Sequence, residues 1–176
     1  MQRCGGSTIR PMSTFNGLPA HPLLVHFIVV LTPLTAILAI LCAVWPAARQ
    51  RLVWLTLALA GATAVLTPIA AEAGEWLEHR VEESAALETH EHLGKTMIYF
   101  SLALLVAAVL LVIGHVRTNR DKALSTAWSV VIAVFVLIAS VAATVQVLRI
   151  GHSGAEATWG DVVTTNPSGG GEEDHE

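Results

Sequence analysis

Four long apolar runs, at about 23–45, 52–71, 96–116 and 124–150, dominate the chain, and short polar breaks separate them. Each run reaches the ~20 residues a helix needs to cross about 30 Å of hydrocarbon. In lipid only a helix satisfies its backbone groups without leaving an open edge, so the pattern predicts four transmembrane α-helices. The breaks fall at Pro46 to Arg51, at Glu72 to Lys95 and at Arg117 to Lys122. The predicted fold is all-α: a polytopic four-helix bundle with up-down topology.

Composition supports this reading. The chain has 176 residues, of which 53% are hydrophobic and 14% charged; soluble domains carry roughly 25% charged residues. A membrane domain over 17–163 is expected, preceded by a flexible segment over 1–16. The Gly-rich acidic tail over 164–176 is expected to be disordered. The net charge of −4 gives no reason to expect nucleic acid as a partner. No phosphate-binding glycine loop or dinucleotide fingerprint is present. Cys42 lies in an apolar run and reads as a small buried hydrophobe. The Gly/Ser-rich start around Cys4 suggests neither a lipoprotein signal nor a cleavable signal peptide.

Charge gives an orientation. The two short breaks hold Arg49, Arg51, Arg117, Arg120 and Lys122. Short basic loops stay in the cytoplasm. The expected location is therefore the plasma (inner) membrane, multi-pass, with both termini and the 72–95 segment extracytoplasmic. Trp45, Trp54 and Trp128 would then sit near the inner interface and Trp76 near the outer one. The acids and histidines are lopsided. Only Asp121 and His115 fall on the inner side, whereas Glu72, Glu75, Glu78, Glu82, Glu83, Glu88 and Glu91 crowd the central outer segment.

The outer helix ends carry the candidate chemistry. Helix 1 opens with His21-Pro22-Leu23-Leu24-Val25-His26, with Pro22 suited to a first turn. Helix 2 closes on Glu72-Ala73-Gly74-Glu75, helix 3 opens on His90-Glu91-His92, and helix 4 closes on Arg149-Ile150-Gly151-His152. Up-down topology brings these ends to one level, so His26, Glu75, His90 and His152 are expected to converge. Imidazoles bind transition metals and haem iron, and a carboxylate can ligate or orient them. Ionisable groups within spans face the bundle interior by default, which favours His26. His90 and His92 diverge by about 200° on a helix, so at most one faces inward. His21 and His26 also diverge, and His21 reads as an interface residue. Arg149 shares a face with His152 and could pair with a haem propionate. Thr56, Thr63 and Thr67, like Ser129, Ser140 and Thr144, read as helix-packing positions.

The stretch Gly17-Leu18-Pro19-Ala20-His21-Pro22-Leu23-Leu24-Val25-His26-Phe27 resembles a family of small four-span bacterial membrane proteins of unknown function. Gly74-Glu75-Trp76-Leu77-Glu78, the stretch His90 to Gly94, and Arg149-Ile150-Gly151-His152-Ser153-Gly154-Ala155-Glu156 are similar to its actinobacterial members. The resemblance covers about residues 14–163 and maps the family pattern onto His21, His26, Glu75, His90 and His152. Similar domains occur fused to Rieske or cytochrome-type modules, which implies redox work. Here a redox partner would be a separate protein.

Three functions follow as expectations. One is a haem- or metal-binding module for membrane electron transfer, with His26, His90, His152 and Arg149 around the cofactor or His26, Glu75, His90 and His152 around a metal. Another is a structural or assembly subunit without a cofactor. The third is a small transporter, disfavoured by the lack of inverted repeats or broken helices. Haem b is expected ahead of a zinc or copper ion. No thiolate joins the set, since Cys42 belongs near the opposite end of helix 1, and this disfavours copper(I). Besides the lipid bilayer, a second copy of the chain is a candidate partner. No nucleophile sits beside a base, so enzymatic activity is not expected.

Overall fold

The computed structural model describes residues 14–15, 18–78, 85–120 and 125–165. Four helices make up nearly all of it: α1 (Ala20–Val44), α2 (Pro46–Glu78), α3 (Ala85–Asn119) and α4 (Thr126–Thr165). A two-residue antiparallel pairing of β1 (Thr14–Phe15) with β2 (Leu18–Pro19) precedes them. The expected flexible start falls mostly, and the expected disordered tail largely, outside the described residues.

All four helices are long and apolar enough to cross a membrane. Their outer faces carry Phe27, Val30, Ile37, Val65, Tyr99, Ile138 and Leu148, all more than half exposed. In water such a surface would be an aggregation liability; in a bilayer it is the lipid-facing wall. The inside is built of small and hydroxylated residues: Ala36, Ala39, Ala60, Ala107, Ala108, Ala143, Thr35, Thr56, Thr63 and Ser101 are all buried. Lipid tails are as apolar as leucine, so helices gain by close backbone approach rather than by exclusion of water. Thr56, Thr63 and Thr67 each donate to a carbonyl four residues back and so bury their hydroxyls at little cost. Thr144 does the same, whereas Ser129 is exposed.

The helices outrun the apolar runs. Residues 46–51 form the first turns of α2 rather than a loop, with only Trp45 between it and α1. Arg49 reaches back to donate to the carbonyls of Cys42 and Ala43, capping the end of α1. Glu72 to Glu78 and Ala85 to Lys95 are helical as well. At 33 residues, α2 is about 50 Å long, well beyond the ~30 Å hydrocarbon layer. Glu72, Glu75, Glu78, Glu88 and Glu91 therefore stand on helical turns beyond the apolar spans.

Each helix packs on two neighbours, α1 on α2 and α4, α2 on α3, and α3 on α4, with little across the α1–α3 diagonal. The hairpin α1–α2 and the hairpin α3–α4 repeat one burial register. From His21 and from His90, steps of seven, eleven, eighteen and twenty-one residues reach Ile28 and Met97, Thr32 and Ser101, Ala39 and Ala108, and Cys42 and Leu111, all buried. Stepping back seven, eleven and eighteen residues from Gly74 and Gly154 reaches Thr67 and Val147, Thr63 and Ala143, and Thr56 and Val136, again all buried. The two hairpins are thus related by an approximate two-fold.

Candidate functional site

The first turns of α1 and α3 meet the last membrane turns of α2 and α4 at one end of the bundle. Trp45, Trp54 and Trp128 stand exposed toward the other end. The imidazole that enters from α1 belongs to His21, not His26. His21 is half-buried, and its Nδ1 lies 2.8 Å from the Ala70 carbonyl oxygen. From α3 comes His90, whose Nδ1 lies 3.1 Å from both the Ile150 carbonyl and the Ser153 hydroxyl. Ser153 is buried and itself donates to the Ile150 carbonyl. A carbonyl only accepts, so both Nδ1 atoms carry hydrogen and donate. On a neutral imidazole held in this way, the remaining ring nitrogen, Nε2, carries the free lone pair. The two rings meet edge to face with centroids 6.4 Å apart.

Both rings rest on glycine. A Cβ added at Gly74 would lie 2.8 Å from Cε1 and 2.9 Å from Nδ1 of His21. One added at Gly154 would lie 3.0 Å and 3.2 Å from the same atoms of His90. In each hairpin the histidine bonds the carbonyl four residues before the glycine it covers, Ala70 before Gly74 and Ile150 before Gly154. The half-sites therefore follow the same two-fold as the helices. A third polar tie lies nearby: the buried Gln146 amide donates to the Leu93 carbonyl at 3.0 Å and to the Thr96 hydroxyl at 2.8 Å, joining α4 to α3.

The pair borders a cavity of about 60 Å³ between all four helices, otherwise lined by aliphatic side chains, Thr67, Gly94 and Met97. It has room for an ion or a few waters. Pockets for larger ligands run to roughly 300–1,000 Å³, so a porphyrin does not fit.

The convergence of four side chains expected from the helix ends does not form. His26 is exposed and donates to the Pro22 carbonyl of its own helix. His152 and Arg149 are exposed on α4. Glu75 is exposed and lies 3.8 Å from the Lys95 ammonium, which also bonds Glu91. Of the expected ligands, only His90 turns inward. Among the described residues, no three His, Cys, Asp or Glu side chains gather closely enough to hold a metal ion. His92 is exposed, and His79 lies outside the described residues. Sequence reasoning missed the inward role of His21 and the parts of Gly74, Gly154, Gln146 and Met97. The available signals were the family pattern, which includes His21, and the glycines Gly74 and Gly154 in the outer turns of the second and fourth helices.

Fold and site together define a multi-pass helical membrane protein with a paired-histidine centre at one end of its bundle. The chain belongs to the family described as predicted membrane protein (DUF2231), whose model matches residues 17–167. No curated protein and no solved structure matches it.

Proposed function

We propose that this protein is a membrane module that binds a single transition-metal ion between His21 and His90. The observation that carries the reading is the shared hydrogen-bond state of the pair: both Nδ1–H groups are held by main-chain carbonyls, and both Nε2 atoms are left as donors. Metal-binding histidines are held in this way, with the second nitrogen fixing tautomer and ring orientation. Metal–nitrogen bonds of about 2.0–2.1 Å put two imidazoles sharing an ion roughly 5–6.5 Å apart between centroids. The observed 6.4 Å lies at the wide end of that range. By the basic connections at the opposite end, the site faces the extracytoplasmic side of the plasma membrane. There it would be open to exchange with a separate redox or metal-handling protein.

Metal analysis of the purified protein after loading with zinc or copper tests this. A single ion per chain is expected, lost on His21→Ala or His90→Ala and kept in the His26→Ala, His152→Ala double variant. Retention that ignores His21 and His90 refutes the proposal. The same hydrogen bonds also favour a second reading, in which the histidines only tie helix ends together. Under that reading the alanine variants lower thermal stability, and added metal changes neither wild type nor variant.

A further inference from the structure

Given that the His21–His90 pair binds an ion, we infer that Met97 supplies a third donor and that the ion is copper(I). Met97 is 97% buried and borders the same cavity as both imidazoles. Among the described residues every other side chain at the cavity is aliphatic or a threonine, and no carboxylate or thiolate borders it. The donor set is therefore two neutral nitrogens and one neutral sulfur.

That set discriminates among ions. A divalent ion held by neutral donors alone keeps its full double charge in an apolar site, where charge is costly unless compensated. A monovalent ion suffers far less. Thioether sulfur is a soft donor that selects copper(I), whereas zinc sites draw on thiolate, imidazole and carboxylate. The small cavity suits a low coordination number with no retained water shell. Met97 has three rotatable bonds and can bring its sulfur to an ion without moving the backbone. The absence of a thiolate near the histidines therefore does not count against copper(I), because the soft donor is a thioether from the buried face of α3. The other two methionines, Met1 and Met12, precede the first helix. Cys42 lies at the far end of α1, hydrogen-bonded to Thr56. Among the described residues, a sulfur ligand at this site can only come from Met97.

The test is anaerobic titration of the full-length protein in detergent against the coloured copper(I)–bicinchoninate complex, with X-ray absorption at the copper edge. Wild type is expected to withdraw a single copper(I) and to show nitrogen and sulfur scatterers. Met97→Leu is expected to bind copper(I) at least tenfold more weakly and to lose the sulfur signal, with zinc binding little changed. A wild-type spectrum with nitrogen scatterers only, which needs no variant, overturns the role of Met97 and leaves the histidine pair standing. So does binding of zinc without copper(I) when that zinc is lost in His21→Ala. If the wild type takes up neither ion, the histidine-pair reading falls as well.

Discussion

Gly74→Ala is the sharpest probe of how the site is held. The new methyl would stand 2.8 Å from Cε1 and 2.9 Å from Nδ1 of His21, closer than side-chain carbons approach. The ring must swing away, and its bond to the Ala70 carbonyl lengthens or breaks. Overpacking of this kind costs about 1–3 kcal/mol. Replacing a helical glycine by alanine returns up to about 1 kcal/mol through helix propensity. The expected net change is a loss of about 0–2 kcal/mol. At Gly61 an added Cβ meets nothing within 4 Å, so Gly61→Ala gains the propensity term and serves as the control. The two variants should differ by about 1–3 kcal/mol in thermal unfolding followed by circular dichroism in detergent. Metal affinity should separate them further: a ligand that loses its orienting partner weakens binding by about 10- to 100-fold. Gly154→Ala, with contacts at 3.0 and 3.2 Å, should show the same pattern more weakly. If Gly74→Ala matches Gly61→Ala in both stability and metal affinity, the glycine shelf does not position the imidazole and the reasoning fails.

Other outcomes are expected elsewhere in the bundle. Gln146→Leu removes two bonds between α4 and α3 and should destabilise by about 1 kcal/mol, the upper part of the range for interhelical bonds in membranes, measured by denaturation in mixed micelles. Thr32 Oγ1 and Ser140 Oγ are buried without a hydrogen-bond partner, so Ser140→Ala should be neutral or stabilising by up to about 1–3 kcal/mol; a clear loss in the same assay would show that the hydroxyl is satisfied. Reporter fusions at Asn119 and at the C-terminus should read cytoplasmic and extracytoplasmic, and an inward C-terminus would reverse the proposed facing of the histidine pair.

The four spans were legible because burial in lipid demands unbroken apolar runs, and nothing else in the chain competes with them. Helix ends were not. Once a helix leaves the hydrocarbon it no longer needs apolar residues, so the sequence carried helix 2 only to about Glu75 and opened helix 3 only at His90, although the residues beyond, such as Ala85, Ala86, Leu87 and Glu88, are good helix formers. The site was half legible. The two-residue spacing of His90 and His92 limited the inward residue to one of them, but not to which. At the start of α1 the expense of an intramembrane imidazole pointed to His26, yet a ring one turn from the surface can satisfy its Nδ1 on its own helix. What admits His21 is the missing side chain at Gly74 on the facing helix, and a single sequence does not show which residues face each other. Met97 was overlooked because a methionine in an apolar span reads as filler until its neighbours are known.

The matched hairpins have a mechanical consequence. Each holds its histidine, glycine shelf and carbonyl anchor within itself, so splaying the two hairpins apart would leave both half-sites intact and merely separate them. A ligand shared by the two rings acts only across the seam. Supplied at a hundred times its dissociation constant, it would add about 2.7 kcal/mol against separation of the halves, because parting the two rings breaks the shared site even while each hairpin stays folded. Occupancy would thus act as a latch, and anything that pries one hairpin from the other, such as a partner protein or bilayer tension, would be felt as release of the ligand.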